Sequence, residues 1–503
     1  ETWSGHQAAE REYRLGGDGA PMPETIWKLA SGLSLRIRAL AKSGAAAPTA
    51  WVQYELANES IMAQTGRLCW VVRPVRLAPA QTKSSLAPIH KIRVEDADAG
   101  WQELWVNDEP LFAVPAGALS FGAAAFDAGD VTEYFRRGEA PSAQAATDEN
   151  GLASGAWWLD FALEPGQAAH VVVVANAQEN PAPSVRRFPW PEAAGGAEET
   201  AAAFDREWVD AAWAWRGETG RYFPKIARPD AIDALRAQVG WLLGLHGAGG
   251  EDVETVALRV AALLRAGQPD AARAWIDRVA ATAQTNGWIP PVLMPDGATA
   301  PKLWLEKRHA AQGQFVFMAL EYYRFTQDAA FLRETYPRLK DAMAYLQGLR
   351  AELETTEWKL PEDERYLVEG LLPPAGAPPG SAQPVHPYAD QYWALLGWKE
   401  CRAAASRLGL DADAVWADEQ YRALKSAVRR SLRARMDLME ASWIPAAAEE
   451  SRFDAASTAL LFWPCAETDL VEPHELQSSL DAFYDGFLQR RLVGACMLRI
   501  CLA

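Results

Sequence analysis

The spacing of apolar residues changes period once along this chain of 503 residues, and that change restricts the folds open to it. From about Ile26 to Ala177 apolar and polar residues alternate with period two, as in Leu33-Ser-Leu-Arg-Ile-Arg-Ala-Leu40 and Trp51-Val-Gln-Tyr-Glu-Leu56. Elsewhere in this half they form short aliphatic runs, Leu68-Cys-Trp-Val-Val72, Leu104-Trp-Val106 and His170-Val-Val-Val-Val174, which read as more deeply buried strands. Turn signals at Asn107-Asp108 and Glu164-Pro-Gly166 separate some of them, and short strands at this spacing predict a β-sandwich. Between Pro181 and Gly196 proline, alanine and glycine crowd together, and beyond them the period becomes helical.

The helical pattern predicts segments over 198–217, 230–246, 252–266, 270–285, 310–325, 329–353, 390–408, 412–435 and 473–490. Pro229-Asp230 and Pro269-Asp270 suit helix starts, because proline at the first helical position gives up only an N–H that has no partner there. Gly267 and Gly409 suit helix ends. The expected class is α+β and multidomain: a β-sandwich over 1–190, a linker helix region over 191–228, and an array of helical hairpins over 229–503.

Composition removes several kinds of function. A net charge of −17 gives no basic face for phosphate, so no nucleic-acid partner is expected. No apolar run approaches the roughly 18 residues of a membrane span, and no membrane span is expected. Five cysteines, with no paired spacing and no His/Cys ligand pattern, predict reduced, buried thiols rather than a disulfide framework or a zinc site. No metal and no cofactor is expected, since the glycine-rich nucleotide loops, HExxH and GxSxG are all missing. Asn58-Glu-Ser60 matches a glycosylation acceptor by pattern. Localisation and oligomeric state stay open. The chain opens on Glu1 rather than Met, so a leader or an upstream domain could precede it.

The segment from Gly370 to Lys399 carries the most chemistry. Its six prolines, Pro373, Pro374, Pro378, Pro379, Pro384 and Pro387, hold the chain out of helix and central strand. His386, Tyr388, Asp390, Tyr392 and Trp393 follow, a carboxyl among rings of the kind that stack on sugars. Cleavage of a glycosidic bond takes two carboxyl groups, one to protonate the leaving oxygen and one to activate water or attack carbon. Asp390 is the first candidate acid, although an acid at a helix start also reads as a cap or a partner of the helix dipole. Glu449 and Asp454, in a segment opened by Trp443 and Pro445, are candidate bases, and Asp454 before small residues also suits a cap. Candidate substrate contacts are His386, Tyr388, Trp393, Gln314 and Trp443. His309 and Gln312 join Gln314 as possible hydrogen-bonding groups, set against an ordinary amphipathic helix. Glu251, Asp252 and Glu254 follow a glycine-rich loop, where Asp252 reads best as the cap of the next helix.

Several longer phrases resemble bacterial proteins of the six-hairpin glycosidase superfamily. They are GLLPP with a later His-Pro-Tyr-x-Asp, GQFVFMALEYYRFTQD, WIPAAAEESRFDAAST, FGAAAFDAGDVTEYFRRG and ASGAWWLDFAL. The resemblance implies an N-terminal β-sandwich followed by an (α/α)6 toroid, acting on a carbohydrate with an acid and a base on toroid loops, and it carries Asp390, Glu449 and Asp454 over as matching positions. The chain departs from those relatives at LHGAGGEDVET, where they are rich in Arg, Trp and Asp, at AGAPPGSAQ, where they carry His and Glu, and at Gln391, where they have a second acid. The helices counted also fall short of six hairpins, and the tail LVGACMLRICLA is aliphatic, so the toroid is expected to be incomplete at its C-terminus. The expected function is a glycoside hydrolase working by general acid/base catalysis with two carboxylates. The alternatives are a carbohydrate-binding protein that has lost catalysis on the same fold, and a phosphorylase.

Overall fold

The computed structural model describes residues 10–16, 19–43, 48–75, 86–97, 100–177, 195–221, 228–244, 251–294, 308–355, 365–375, 384–439 and 442–492. Part of the proline-rich loop, most of the Pro181–Gly196 stretch and the C-terminal tail with Cys496 and Cys501 lie outside the described residues. Two compact units are present, Glu1–Gly244 and Leu245–Ala503.

In chain order the first unit contains β1 (Glu10–Gly16), β2 (Ala20–Lys28), β3 (Leu33–Ser43), β4 (Pro48–Asn58), β5 (Gln64–Val72), β6 (Lys91–Asp96), β7 (Trp101–Val106), β8 (Glu109–Pro115), β9 (Ser120–Ala124), α1 (Val131–Arg136), β10 (Ala145–Thr147), β11 (Ser154–Leu163), β12 (Ala168–Asn176), α2 (Ala197–Thr219) and α3 (Pro229–Gly244). A nine-stranded antiparallel sheet runs β1-β2-β3-β4-β12-β8-β7-β6-β10, and a three-stranded sheet runs β5-β11-β9. Ile92, Leu104, Val106, Val114, Phe121, Trp157, Val171 and Val173 form the apolar core of the sandwich. The aliphatic run of β12 is buried at Val171 to Val174 because the strand lies in the middle of the large sheet, between β4 and β8. β5 carries a similar run but is an edge strand of the small sheet, and most of it is partly or fully exposed. Strand position, not hydropathy, separates the two. The β1–β2 hairpin escaped the pattern because Glu10-Arg-Glu-Tyr-Arg14 is an exposed edge, rich in charge. Asn58 is buried and donates to the carbonyls of Leu163 (2.9 Å) and Met62 (2.8 Å), so its amide is closed to a glycan in the folded chain.

The division into units falls later than the composition change. α2 lies on the large sheet, with Phe204 fully buried among Met22, Trp51, Trp101, Val172 and Val174. The Arg38 guanidinium sits 5.4 Å from both the Phe204 and Trp208 rings and pairs with Asp205 at 2.5 Å. α3 packs on β2 and on α2. α2, the described part of the stretch read as linker, therefore belongs to the body of the first unit, held there by aromatic burial.

The second unit contains β13 (Glu251–Asp252), α4 (Val253–Arg265), α5 (Pro269–Thr282), β14 (Val292–Leu293), α6 (Ala310–Thr326), α7 (Ala329–Thr355), α8 (Tyr388–Leu408), α9 (Asp411–Met439), α10 (Ala455–Phe462) and α11 (Pro473–Leu492). Among these, α4, α6, α8 and α10 pack side by side in that order, while α5, α7, α9 and α11 lie outside as returning helices. Inner position explains α6, which is buried from Ala310 through Tyr322 rather than along one stripe. α10 escaped the sequence pattern because it is short, apolar throughout and without periodicity. Cys69, Cys401 and Cys465 are free thiols. No helix among the described residues is long and apolar enough to cross a membrane.

The inner helices α6 and α8 touch through glycine. A methyl group built on Gly313 would lie 2.0 Å from the carbonyl oxygen of Trp393, and one on Gly397 would lie 2.8 Å from Cα of Gly313. Both obstacles are backbone and cannot rotate away. Gly313→Ala is expected to cost about 2–3 kcal/mol by forcing the helices apart, read as a lower urea midpoint; an unchanged midpoint would mean that the crossing is looser than this.

Candidate active site

The N-terminal ends of the inner helices converge. Asp252 caps α4, its carboxylate accepting from the Glu254 N–H at 2.7 Å, and the pairing of β13 with β14 fixes that turn. The cap reading of Asp252 holds, and it leaves Glu254 in the first turn of the helix. His309 precedes α6 and Pro387 precedes α8. Ahead of α8 the chain pairs with the segment before α10: the Tyr388 N–H donates to the Ala446 carbonyl at 3.0 Å, and the Ala448 N–H donates to the His386 carbonyl at 3.1 Å. This short antiparallel contact brings two phrases far apart in sequence side by side.

Asp390, in the first turn of α8, is closed to solvent at 1% exposure. Its Oδ1 accepts from Arg308 Nε (3.2 Å) and Nη2 (3.1 Å), and its Oδ2 accepts from the His309 N–H (2.9 Å). Arg308 Nη2 also lies 3.7 Å from Glu254 Oε2. Burial would disfavour the guanidinium, but the three carboxyls Asp390, Glu254 and Asp252 more than offset this, and Arg308 stays charged. Arg308 was not singled out by sequence, because an arginine in a charged run reads as solvated surface.

Glu449 accepts from the His386 N–H at 2.8 Å and makes a second, short hydrogen bond with His386 Nδ1. Arg435 donates to the Glu449 carbonyl at 2.9 Å. His386 also slightly disfavours a charge on His309, an effect smaller than that of burial. Direct contacts thus form two groups, Glu254, Arg308, Asp390 and His309 in one and His386 and Glu449 in the other.

Glu254 and Glu449 differ in acidity. Burial is the main cause that pushes the Glu254 carboxyl up to about 6; the negative charges of Asp252 and Asp390 add to it, and Arg308 and the nearby Trp393 indole oppose it. Burial also acts on Glu449, but hydrogen bonds and charge from His386 outweigh it and hold this carboxyl below the usual range. Asp252 is raised, chiefly by burial, and His309 is lowered by burial, so the latter favours the neutral ring. Side-chain exposure separates the acids as well: Glu254 is 26% exposed and Glu449 is 24% exposed, against 1% for Asp390.

The other expected residues divide by burial. Tyr388 and Trp393 are fully buried, Tyr388 bonded to Ser431 at 2.7 Å and Trp393 packed 5.8 Å from Phe317, so their ring faces are engaged by protein. His386 and Gln314 are buried too, and Gln312 donates to the His309 carbonyl at 3.0 Å. Aromatic residues at a helix start look alike in sequence whether they line an opening or fill the space behind it. Trp443 is 37% exposed and donates through Nε1 to the Ser451 carbonyl, which leaves a ring face open. Asp454 caps α10, accepting from the Ala456 N–H at 3.2 Å. No group of residues suited to hold a metal ion occurs among the described residues.

No protein-family model matches the chain, and no curated protein sequence matches it. Solved structures do. A bacterial glucoamylase complexed with acarbose superposes with a TM-score of 0.54 at 11% identity, covering 84% of this chain and 59% of the glucoamylase chain. An α-L-rhamnosidase from Dictyoglumus thermophilum matches with a TM-score of 0.35 at 11% identity, covering 86% of this chain and 40% of that one. The chain thus spans about three fifths of the glucoamylase's length, and over that span it shares that structure's fold, an antiparallel sheet-rich unit followed by a helical one.

Proposed function

We propose that the protein is a glycoside hydrolase in which Glu254 protonates the departing sugar oxygen and Glu449 activates the attacking water. The observation that supports this most is the opposite displacement of two partly exposed carboxyls at the converging helix ends, Glu254 up to about 6 and Glu449 below the ordinary range. Acid/base cleavage needs one carboxyl neutral and another ionised at the same pH, and environments that push two acids apart supply that. Asp390 was the expected acid. Its carboxylate is closed to solvent, with its oxygens bonded to a guanidinium and a backbone N–H rather than facing a substrate, so in this reading it is an anchor and Asp454 a helix cap. Of the rings expected to contact sugar, Tyr388 and Trp393 are buried and Trp443 is the exposed one.

A base that activates water places this reaction on the inverting course. Since one fold neighbour is a glucoamylase, α- and β-linked gluco-oligosaccharides head the substrate panel. Purified protein is expected to release reducing sugar from at least one of them without added phosphate, the first product carrying the opposite anomeric configuration by NMR. Release that depends on phosphate would make it a phosphorylase. Sugar binding with no turnover across the panel would overturn the enzymatic reading in favour of a binding protein.

A further inference from the structure

The acid assigned to Glu254 does not stand alone in its turn. Arg308 Nη2 reaches Asp390 Oδ1 at 3.1 Å and Glu254 Oε2 at 3.7 Å, and Asp390 is itself tied to the His309 N–H at 2.9 Å. The guanidinium is 17% exposed, so water screens it little. We infer that Arg308 and Asp390 act as one positioning unit for Glu254: Asp390 pins the guanidinium, and the pinned guanidinium both aims the Glu254 carboxyl and governs when it carries its proton. The inference rests on the reading of Glu254 as the acid and adds two residues that never touch the reacting atoms.

The physical argument follows from how the contacts are shared. A free arginine beside Glu254 would form a full ion pair with it and strip its proton. Here both guanidinium contacts of hydrogen-bond length go to Asp390, and Glu254 is left with the longer one. Glu254 therefore feels the positive charge without being neutralised by it. Among the described residues the other groups that act on it are Asp252 in the turn before α4, Trp393 on α8, and Cys465 beyond α10, a buried thiol whose ionisation is suppressed chiefly by that burial. None of these is a second cation that could take over the role of Arg308.

Two substitutions should then move Glu254 in opposite directions. Arg308→Gln removes the opposing charge, so Glu254 keeps its proton to higher pH, and the alkaline limb of kcat/KM is expected to move up by about one unit or more. Asp390→Asn releases the guanidinium to Glu254, which then loses its proton earlier, and the same limb is expected to move down by about one unit or more. Selective 13C-glutamate labelling, with the Glu254 signal identified by its loss in Glu254→Gln, reads the same titration with no substrate present. If the NMR shifts are opposite but no variant or wild-type protein turns over sugar, the positioning unit stands and the hydrolase reading falls. Shifts in the same direction, or none, in folded protein would overturn the inference. Arg308→Lys guards against a misfolded Gln variant: a lysine keeps the charge but not the two-nitrogen hold on Asp390, so kcat should drop while the limb stays within half a unit of wild type or moves down, and a limb that moves up would also sink the idea.

Discussion

Glu254→Gln lowers kcat/KM by about 10²–10⁴, the usual contribution of a positioned general acid, and Glu449→Gln does the same from the other side of the bond. Glutamine keeps the shape and removes the proton chemistry, so packing is not confounded with catalysis. The pH profile distinguishes the two roles. Activity requires Glu254 protonated and Glu449 ionised. It therefore falls as pH rises through about 6, where Glu254 loses its proton, and falls again on the acid side only below the ordinary carboxylate range, where Glu449 gains one. An optimum near pH 5 is expected, with the alkaline limb gone from whatever residual rate Glu254→Gln retains. A neutral optimum, or undiminished turnover in either variant, would remove these residues from the mechanism.

Stability gives a second signature for Glu254. Its folded pKa lies above the unfolded value, so its contribution to stability is fully present below about pH 4.5 and is lost as pH rises through about 6. Above that pH the native state carries a charge that burial disfavours. The Gln variant should consequently be no less stable than the wild type at pH 8 while being far less active. A residue kept for packing would behave the other way round.

The largest stability effect is expected at Glu467, which the proposed reaction does not use. Its side chain is fully buried in the turn after α10 and accepts from Lys399 at 2.8 Å, Lys425 at 2.9 Å and the Tyr421 hydroxyl at 3.0 Å. One carboxylate therefore ties this turn to both α8 and α9. Glu467→Ala leaves two ammonium groups and a phenol without it, and breaking such a buried pair costs about 3–5 kcal/mol. Both lysines are partly exposed, Lys399 at 27% and Lys425 at 19%, and each keeps another partner, the Cys465 carbonyl and Asp469. Water and those partners recover some of the loss, which places the expected figure near about 3 kcal/mol. The readout is the urea midpoint of the helical unit, and a midpoint shift equivalent to less than 1 kcal/mol would show that the network is not holding the turn.

The residues of the site were visible in the sequence to different degrees. The approach of Glu449 to His386 was prepared by both phrases being noticed, but their pairing depends on backbone hydrogen bonds between residues some sixty positions apart, to which no local pattern points. Glu254 was seen and set aside because Asp252 explained the acidic cluster as a cap. The cap is real, and it presents its neighbour rather than accounting for it. Asp390 stood out as an acid among rings, yet the same surroundings that drew notice close it off from solvent.

Period and punctuation determined the order of strands and then helices, the glycine and proline boundaries and the residue types available for acid/base chemistry, because these follow from interactions within a few residues. The tertiary structure alone decided which strand run lies in the middle of a sheet, which helix is enclosed, and which carboxyl meets a guanidinium. Burial and charge pairing are sums over neighbours from the whole unit, and they set whether an acid is an anchor, a proton donor or a base.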